Sequence, residues 1–337
     1  MNADRVWLSC HVFYHGDADG LVVDLVLPMF DDLLRRGLVT RRFFLRHWER
    51  GPHVRIRLQV RPSDADVVRA EVETRVIGYL AEHPGPTDVD QARLDASLRR
   101  LSILEHGSAD DVEVRTAEPP NVLRWLDYRP ELGKYGGPEG VEIAEDVFDV
   151  SSLLAGQVLR EVSSGGARLG IAMQLLLIAS RSLGLDPAAR TVFLRSYQER
   201  WQNYLPDAPR LLAAWGQQYE HQRETYLSLV ADLDAGAPIG KGVGLRWEQT
   251  LDDAISRLRP LVASGVVWPS DVDRQAPPFV AVAALVCQFL HTTNNRMNVR
   301  PQGECFVAYL AHRAATECGL SNPVIAVGGQ GLERHAG

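Results

Sequence analysis

Cysteine is scarce in this chain. Its 337 residues hold four, Cys10, Cys287, Cys305 and Cys318, with no C-x-x-C pair and no metal-type spacing to histidine. Neither a zinc cage nor a disulfide framework is therefore suggested, and a reducing, cytoplasmic setting is expected. A basic surplus is lacking too: 36 Lys plus Arg stand against 43 Asp plus Glu, a net charge of -7. That balance argues against nucleic acid as a partner, because duplex binding rests on neutralising phosphates. The N-terminus has no basic region followed by an apolar run, so no export signal is read. The most apolar stretch, Phe279 to Leu290, is 12 residues long, against roughly 20 for a bilayer crossing, and no membrane partner is expected. No internal repeat, Walker loop, G-x-S-x-G elbow or strand-linked G-x-G-x-x-G occurs. Asp17 and Asp19 read as turn residues, since no further ligands have suitable spacing. No cofactor and no metal are implied.

What is present is a core-forming composition, 45% hydrophobic and 23% charged, in the ordinary range for a globular protein. The length fits one large unit or two domains, because single cores stop growing at roughly 250–300 residues. Residues 6–14 are β-branched and aromatic and predict a strand ending near Tyr14. Leu21, Leu25, Met29, Leu33 and Leu34 predict a helix, interrupted by a kink or irregular turn at Pro28. Arg42–Trp48 and His53–Val60 form a strand pair punctuated by Glu49-Arg50-Gly51-Pro52. Val67, Val68, Val72, Val76 and Leu80 mark an amphipathic helix over 63–83. Residues 118–140 read as strand and loop, followed by an acidic helix beginning near Pro138. From Ser151 the pattern is mainly helical: 153–162, 169–183, 188–204, 247–263, 279–296 and 303–318 stand out, with 235–244 as a Gly-rich loop.

Three places offer chemistry. On the second strand of the pair, His53, Arg55, Arg57 and Gln59 share one face, and Val54, Ile56, Leu58 and Val60 the other. Two guanidiniums side by side repel unless something anionic or strongly polar lies between them. They form either a solvated or salt-bridged strand face or a surface that grips substrate. Gly136 and Gly137 precede a helix N-terminus, which suits either acceptor binding or a tight turn that packs Tyr135. The tract His291-Thr292-Thr293-Asn294-Asn295-Arg296 ends the most apolar helix, and so many polar groups near its buried end need partners. A capping network explains the asparagines; His291 has the side chain whose proton is most mobile near neutral pH. Tyr197, Trp201 and Tyr204 share a helix face and read as core or groove wall.

Four stretches taken in order resemble one family. They are Phe43-Phe44-Leu45-Arg46-His47-Trp48-Glu49-Arg50-Gly51-Pro52-His53-Val54-Arg55-Ile56-Arg57, then Pro130-Glu131 through Tyr135-Gly136-Gly137-Pro138-Glu139, then Val147-Phe148 with Ser151-Ser152, and His291 through Arg296. The family is the lantibiotic dehydratase C-terminal, thiopeptide-type bacteriocin biosynthesis family. The resemblance implies an α+β fold across 1–337, an antiparallel sheet drawn mainly from 5–150 packed against helices concentrated in 151–318, with a cleft between them. It also implies a cofactor-independent enzyme acting on a ribosomally made precursor peptide. Leader recognition as a short helix or strand in an apolar groove, and contacts with other pathway enzymes, go with it.

Two activities share that fold. One is elimination of glutamate from glutamylated Ser or Thr, leaving dehydroalanine or dehydrobutyrine. The other is the thiopeptide pyridine synthase, which joins two dehydroalanines by a formal aza-[4+2] cycloaddition and then loses water and the leader peptide amide. The eliminases commonly carry arginines where this chain has Pro130 and Lys134, and lysine does not reproduce bidentate carboxylate binding. Thr293 likewise stands where a second histidine is common. The pyridine synthase is therefore the expected activity, glutamate elimination the alternative, and a non-catalytic precursor-binding scaffold the third reading. For the proton relocation that the cycloaddition needs, His291 is the first acid/base candidate, with Arg55 and Arg57 fixing backbone carbonyls or polarising the reacting amide. Tyr135, Tyr197 and Ser196 are further proton-transfer candidates, and His53, Trp48, Lys134, Asn295 and Arg296 substrate-binding ones.

Overall fold

The computed structural model describes residues 4–88, 90–106 and 117–321. Strand alternation governs the first part of the chain. Strands β1 (Val6–Phe13), β2 (Arg41–His47), β3 (His53–Val60) and β4 (Val122–Trp125) form one antiparallel sheet in the order β2-β3-β1-β4. Its apolar face carries Leu8, Cys10 and Val12 from β1 and Val54, Ile56, Leu58 and Val60 from β3, all at most 2% exposed. The irregular turn expected at Pro28 is present. A single turn α1 (Ala18–Gly20) runs into a π-helical turn, Leu21–Val26, before α2 (Leu27–Arg35). Proline has no N–H for the carbonyl four residues back, and just ahead of it the Leu27 N–H bonds to Val22 O, five residues back.

Helix α3 (Ala65–Glu82) buries Val68, Val72, Val76 and Leu80 of the expected stripe against β1 and β4, while Val67, also expected there, is exposed. The Trp125 indole on β4 donates to Glu73 at 2.6 Å and fixes α3 in place. Helix α4 (Gln91–His106) lies in a stretch that the sequence reading leaves unassigned. A short α5 (Leu132–Tyr135) then turns through Gly136 (φ +81) and Gly137 (φ +113) into α6 (Pro138–Glu161). A β-carbon at Gly136 would stand 2.6 Å from the Trp268 backbone nitrogen, so the tight-turn reading of these glycines holds. The acidic helix and the 153–162 segment are one 24-residue helix, since nothing between them breaks it.

The remaining helices are α7 (Gly165–Ser182), α8 (Pro187–Gln202), α9 (Ala208–His221), α10 (Arg223–Asp234), α11 (Lys241–Ala263), α12 (Pro278–Arg296) and α13 (Pro301–Ser321). The fold is mostly helical, 67%, with the small antiparallel sheet. Two compact units result, and each uses two pieces of chain. The first is Met1–Ser163 with Ser256–Asn298; the second is Ser164–Ile255 with Val299–Gly337. The sequence pattern divides the chain into a sheet-rich first half and a helical second half; in the structure α12 belongs with the sheet. In the second unit α13 packs on α8, α7 and α10, with Trp247, Tyr197 and Tyr219 among the largest buried side chains. No described helix is long and apolar enough to cross a membrane.

Strand β2 lies at the sheet edge, and α6 and α12 close it with side chains rather than a fifth strand. The Arg42 N–H donates to Asp149 Oδ1 (2.9 Å), the Phe44 N–H to Ser152 Oγ (3.2 Å) and the Arg46 N–H to Asn295 Oδ1 (2.9 Å). In return the Arg296 Nε donates to Phe44 O (2.8 Å) and the Asn295 Nδ2 to Arg46 O (3.0 Å). Every outward polar group of the three alternate residues that the strand exposes there, save the Arg42 carbonyl, thus has a named partner. Asn295→Ala leaves an N–H and a C=O of Arg46 unpaired and is expected to cost about 2 kcal/mol in denaturant unfolding. Asn295→Asp, which keeps only the acceptor, should fall between Ala and wild type.

Candidate active site

Strand register brings the polar face together. Trp7, Ser9, His11 and Phe13 lie opposite Gln59, Arg57, Arg55 and His53, and Arg41, Phe43, Leu45 and His47 flank the other side of β3. Arg57 stands at the centre, only 7% exposed. Its Nη2 is 3.1 Å from His11 Nε2, its Nη1 donates to Ile56 O at 3.3 Å, and its guanidinium lies 5.6 Å from the Tyr128 ring centroid. Among the described residues no carboxylate reaches it within ion-pair distance. Burial, followed by the neighbouring charge of Arg55, pushes its pKa down to about 9. The face is therefore neither solvated nor salt-bridged at its centre.

Two neutral imidazoles serve these cations. Burial, then Arg57, holds His11 far below the usual imidazole range, so its Nε2 accepts from Arg57. His53, 4% exposed, is pushed down to about 3, mainly by burial. Its Nδ1 lies 2.8 Å from Gly51 O, and its Nε2 accepts from Arg55 Nε at 3.2 Å. That pattern puts the His53 proton on Nδ1. The two rings stack at 4.9 Å. Half-buried Arg55 also reaches Glu49 (3.1 Å), which lies 3.0 Å from His47 Nε2. The His47 contact, opposed by burial and helped by Arg55, brings the Glu49 carboxyl down to about 2. Trp48 stacks on His47 at the turn, ring centroids 5.9 Å apart.

A second polar pair lies beside Arg57. The Tyr128 hydroxyl donates to Glu145 Oε1 at 2.7 Å, and Arg41 stands 3.7 Å from the other oxygen. Burial raises both the phenol and the carboxyl, and each proton is held above its ordinary range. Trp7 and Phe43 wall the phenol ring, at 5.3 and 6.3 Å.

The other expected residues are spread more widely. His291 is half-buried on α12, one helical turn before Asn295 and on the same helix side, in the same unit as Arg55 and Arg57. Asn295 and Arg296, expected to bind substrate, are instead committed to the β2 edge by the bonds above; Arg296 is fully buried with its guanidinium 4.8 Å from the Phe148 ring. Tyr135 is 3% exposed, packed against Phe148 and Phe289. Lys134 pairs with Glu131 at 3.4 Å. Tyr197 and Ser196 belong to the second unit. Tyr197 is buried, in ring contact with Trp201, and its hydroxyl bonds to the buried Glu304; Ser196 is exposed. Asp17 and Asp19 are turn residues as read: Asp17 Oδ1 accepts from the Asp19 N–H, and Asp19 from Arg46. No metal-holding group of His, Cys, Asp or Glu occurs among the described residues.

Sequence alone gives His11, His47, Glu49, Tyr128 and Glu145 no role in the site, although His47 and Glu49 stand within the first family tract. The β1 alternation places His11 on a face but does not say which face meets Arg57; strand register supplies that. Glu145 looks like one more carboxylate on an acidic helix until Tyr128 is brought to it.

The family model for the C-terminal part of lantibiotic biosynthesis dehydratases matches residues 7–315. Among solved structures, the pyridine synthase TbtD from thiomuracin biosynthesis is 25% identical, with a TM-score of 0.78, 94% of this chain covered and 99% of that one. TsrL is 18% identical with a TM-score of 0.69, covering 96% and 97%. The tRNA-dependent lantibiotic dehydratase MibB from Microbispora sp. 107891 is 17% identical with a TM-score of 0.56; 95% of this chain matches 29% of that one. No curated protein matches significantly.

The buried neutral histidines make acid stability a test of this site. A group whose folded pKa is depressed contributes stability above its unfolded pKa and loses it as pH falls towards the folded value. For His53 that window runs from 6.5 down to about 3. Stability should begin to fall below pH 6.5, ahead of the carboxylates, with on the order of 1.4 kcal/mol per pH unit from each such histidine. His53→Gln should flatten the slope measured by urea unfolding between pH 6 and pH 4.

Proposed function

We propose that this chain, which belongs to the lantibiotic dehydratase C-terminal family, is a pyridine synthase of thiopeptide biosynthesis. Its substrate is a ribosomally made precursor peptide bearing two dehydroalanines and a leader. The observation that carries the reading is Arg57: a buried guanidinium beside Arg55, with no carboxylate among the described residues to neutralise it. Such a group is costly unless an acceptor is brought to it. Full-length likeness to a pyridine synthase supports the same choice. So does Lys134, which stands where eliminases commonly have an arginine and is engaged by Glu131.

The chemistry asks for positioning and proton movement. One dehydroalanine amide becomes its iminol and so a 2-azadiene; the second dehydroalanine must be held across it. Arg55 and Arg57 bind the reacting amide carbonyl and stabilise charge as it develops on oxygen. His291 exchanges the proton between nitrogen and oxygen. His11 and His53, kept neutral, accept from the two arginines and fix their orientation. Trp48, in the turn between β2 and β3, flanks the bound peptide, while His53, 4% exposed, acts through Arg55. Loss of water and then of leader amide makes the ring aromatic.

Incubating the purified chain with such a precursor should yield a macrocycle and free leader amide by mass spectrometry. Arg57→Ala should lower turnover on the order of 100-fold, and His291→Ala should also reduce it strongly. An unchanged wild-type reaction mixture rejects the reading; glutamate release from a glutamylated precursor would instead establish elimination. Leader binding with no mass change would favour a scaffold.

A further inference from the structure

The Tyr128–Glu145 pair has no part in the mechanism above, although it stands on the same face. Tyr128 is half-buried, in the segment between β4 and α5, so its ring is reachable from the polar face, while Glu145 behind it is 6% exposed. The 2.7 Å bond between them joins the phenol oxygen to the buried carboxyl, the phenol donating, so a proton can pass between the two groups once the phenol turns its O–H towards a bound substrate. Arg57 lies 5.6 Å from the phenol ring, within the range of cation attraction by an aromatic face. Trp7 and Phe43 confine the ring.

We propose that Tyr128 is a catalytic proton donor for the dehydration that follows ring closure, with Glu145 as the positioning residue that restores its proton. This rests on the pyridine synthase reading. The cycloadduct carries the former amide oxygen as a hydroxyl on a ring carbon next to the ring nitrogen. After the ring imine shifts to its enamine form, the nitrogen lone pair forms a C=N bond to that carbon. The C–O bond breaks with its electron pair on oxygen. Oxygen takes the Tyr128 proton and leaves as water, and the Glu145 carboxyl proton moves to the phenolate oxygen. The ring N–H proton, released as the dihydropyridine becomes neutral, returns through Tyr128 to Glu145. One water is lost, no electrons are exchanged with any other reagent, and the pair ends as it began. Burial favours the protonated form of both groups. The charged neighbours are Arg41 on β2, Asp146 on α6 and Arg57 on β3. The arginines oppose retention of that proton and Asp146 favours it.

The test compares wild type, Tyr128→Phe and Glu145→Gln on the two-dehydroalanine precursor. Tyr128→Phe should keep the wild-type KM and lower kcat about 100-fold. A cyclised isomer should accumulate, with the precursor's mass, altered chromatographic retention and no reactivity towards thiols. Glu145→Gln should give a smaller loss in kcat and, by removing the carboxyl ionisation that limits the wild type, move the alkaline limb of the kcat–pH profile to higher pH, with Glu145→Asp restoring part of both. Thermal melts of all three should coincide within a few degrees; if Tyr128→Phe melts early, accumulation of the isomer still identifies the step. Wild-type turnover by Tyr128→Phe, or loss of activity without the isomer, overturns the proposal while leaving the synthase reading intact. An inert wild type overturns that reading and the proposal with it.

Discussion

The sheet edge is the constraint from which the site follows. β2 would otherwise offer a row of unpaired backbone groups, a template for pairing with another chain. Asp149 and Ser152 from α6, and Asn295 and Arg296 from α12, take those groups instead. Because their side chains meet alternate residues 42, 44 and 46, they also fix the register of β2 against β3. Residues 41, 43, 45 and 47 are thereby committed to the polar face. A slip by one residue would exchange the two sets and place Phe43 and His47 in the apolar layer. Edge closure and site assembly are the same event.

Electrostatics on that face run against the usual logic of ion pairs. Arg57 is held by a neutral imidazole, a carbonyl and an aromatic ring, and Arg55 shares Glu49 with His47. Nearby Glu145 is oriented by Tyr128 and approached by Arg41 at 3.7 Å, near the limit of an ion pair. A carboxylate inserted beside Arg57 would neutralise it and remove its pull on a substrate oxygen. Keeping the histidines neutral gives orientation without adding a third positive charge. The cost is borne in stability, as an apolar filling of the same volume would fold more readily.

Much of this was legible in the sequence. Alternation at 53–60 gave the polar and apolar faces of β3, and the proline at 28 marked the irregular helix. The glycines at 136 and 137 suit either an acceptor site or a tight turn on sequence alone, and the structure selects the turn, while the polar end of the most apolar helix needs partners in both. Sequence could not say that Asn295 and Arg296 find theirs on strand β2, 249 and 252 residues away in the chain. Nor could it separate Glu145 from the other acids of its helix, because its distinction comes from Tyr128 in a loop of no regular pattern. The strand face was also read as a choice between solvated and substrate-gripping; only burial shows that Arg57 and His53 are covered.

The discontinuous make-up of the sheet unit bears on how the protein is made. When β2 emerges from a ribosome, the asparagine that will cap it lies 249 residues further along. At roughly 5–20 residues per second, about 12–50 s pass before that residue is synthesised. Asp149 and Ser152, which close the Arg42 and Phe44 positions, follow after 107 and 108 residues, so over the rest of the interval the Arg46 end of the rim still lacks its cap. Chain order thus makes the Arg46 end of the rim the last part of the sheet to be closed.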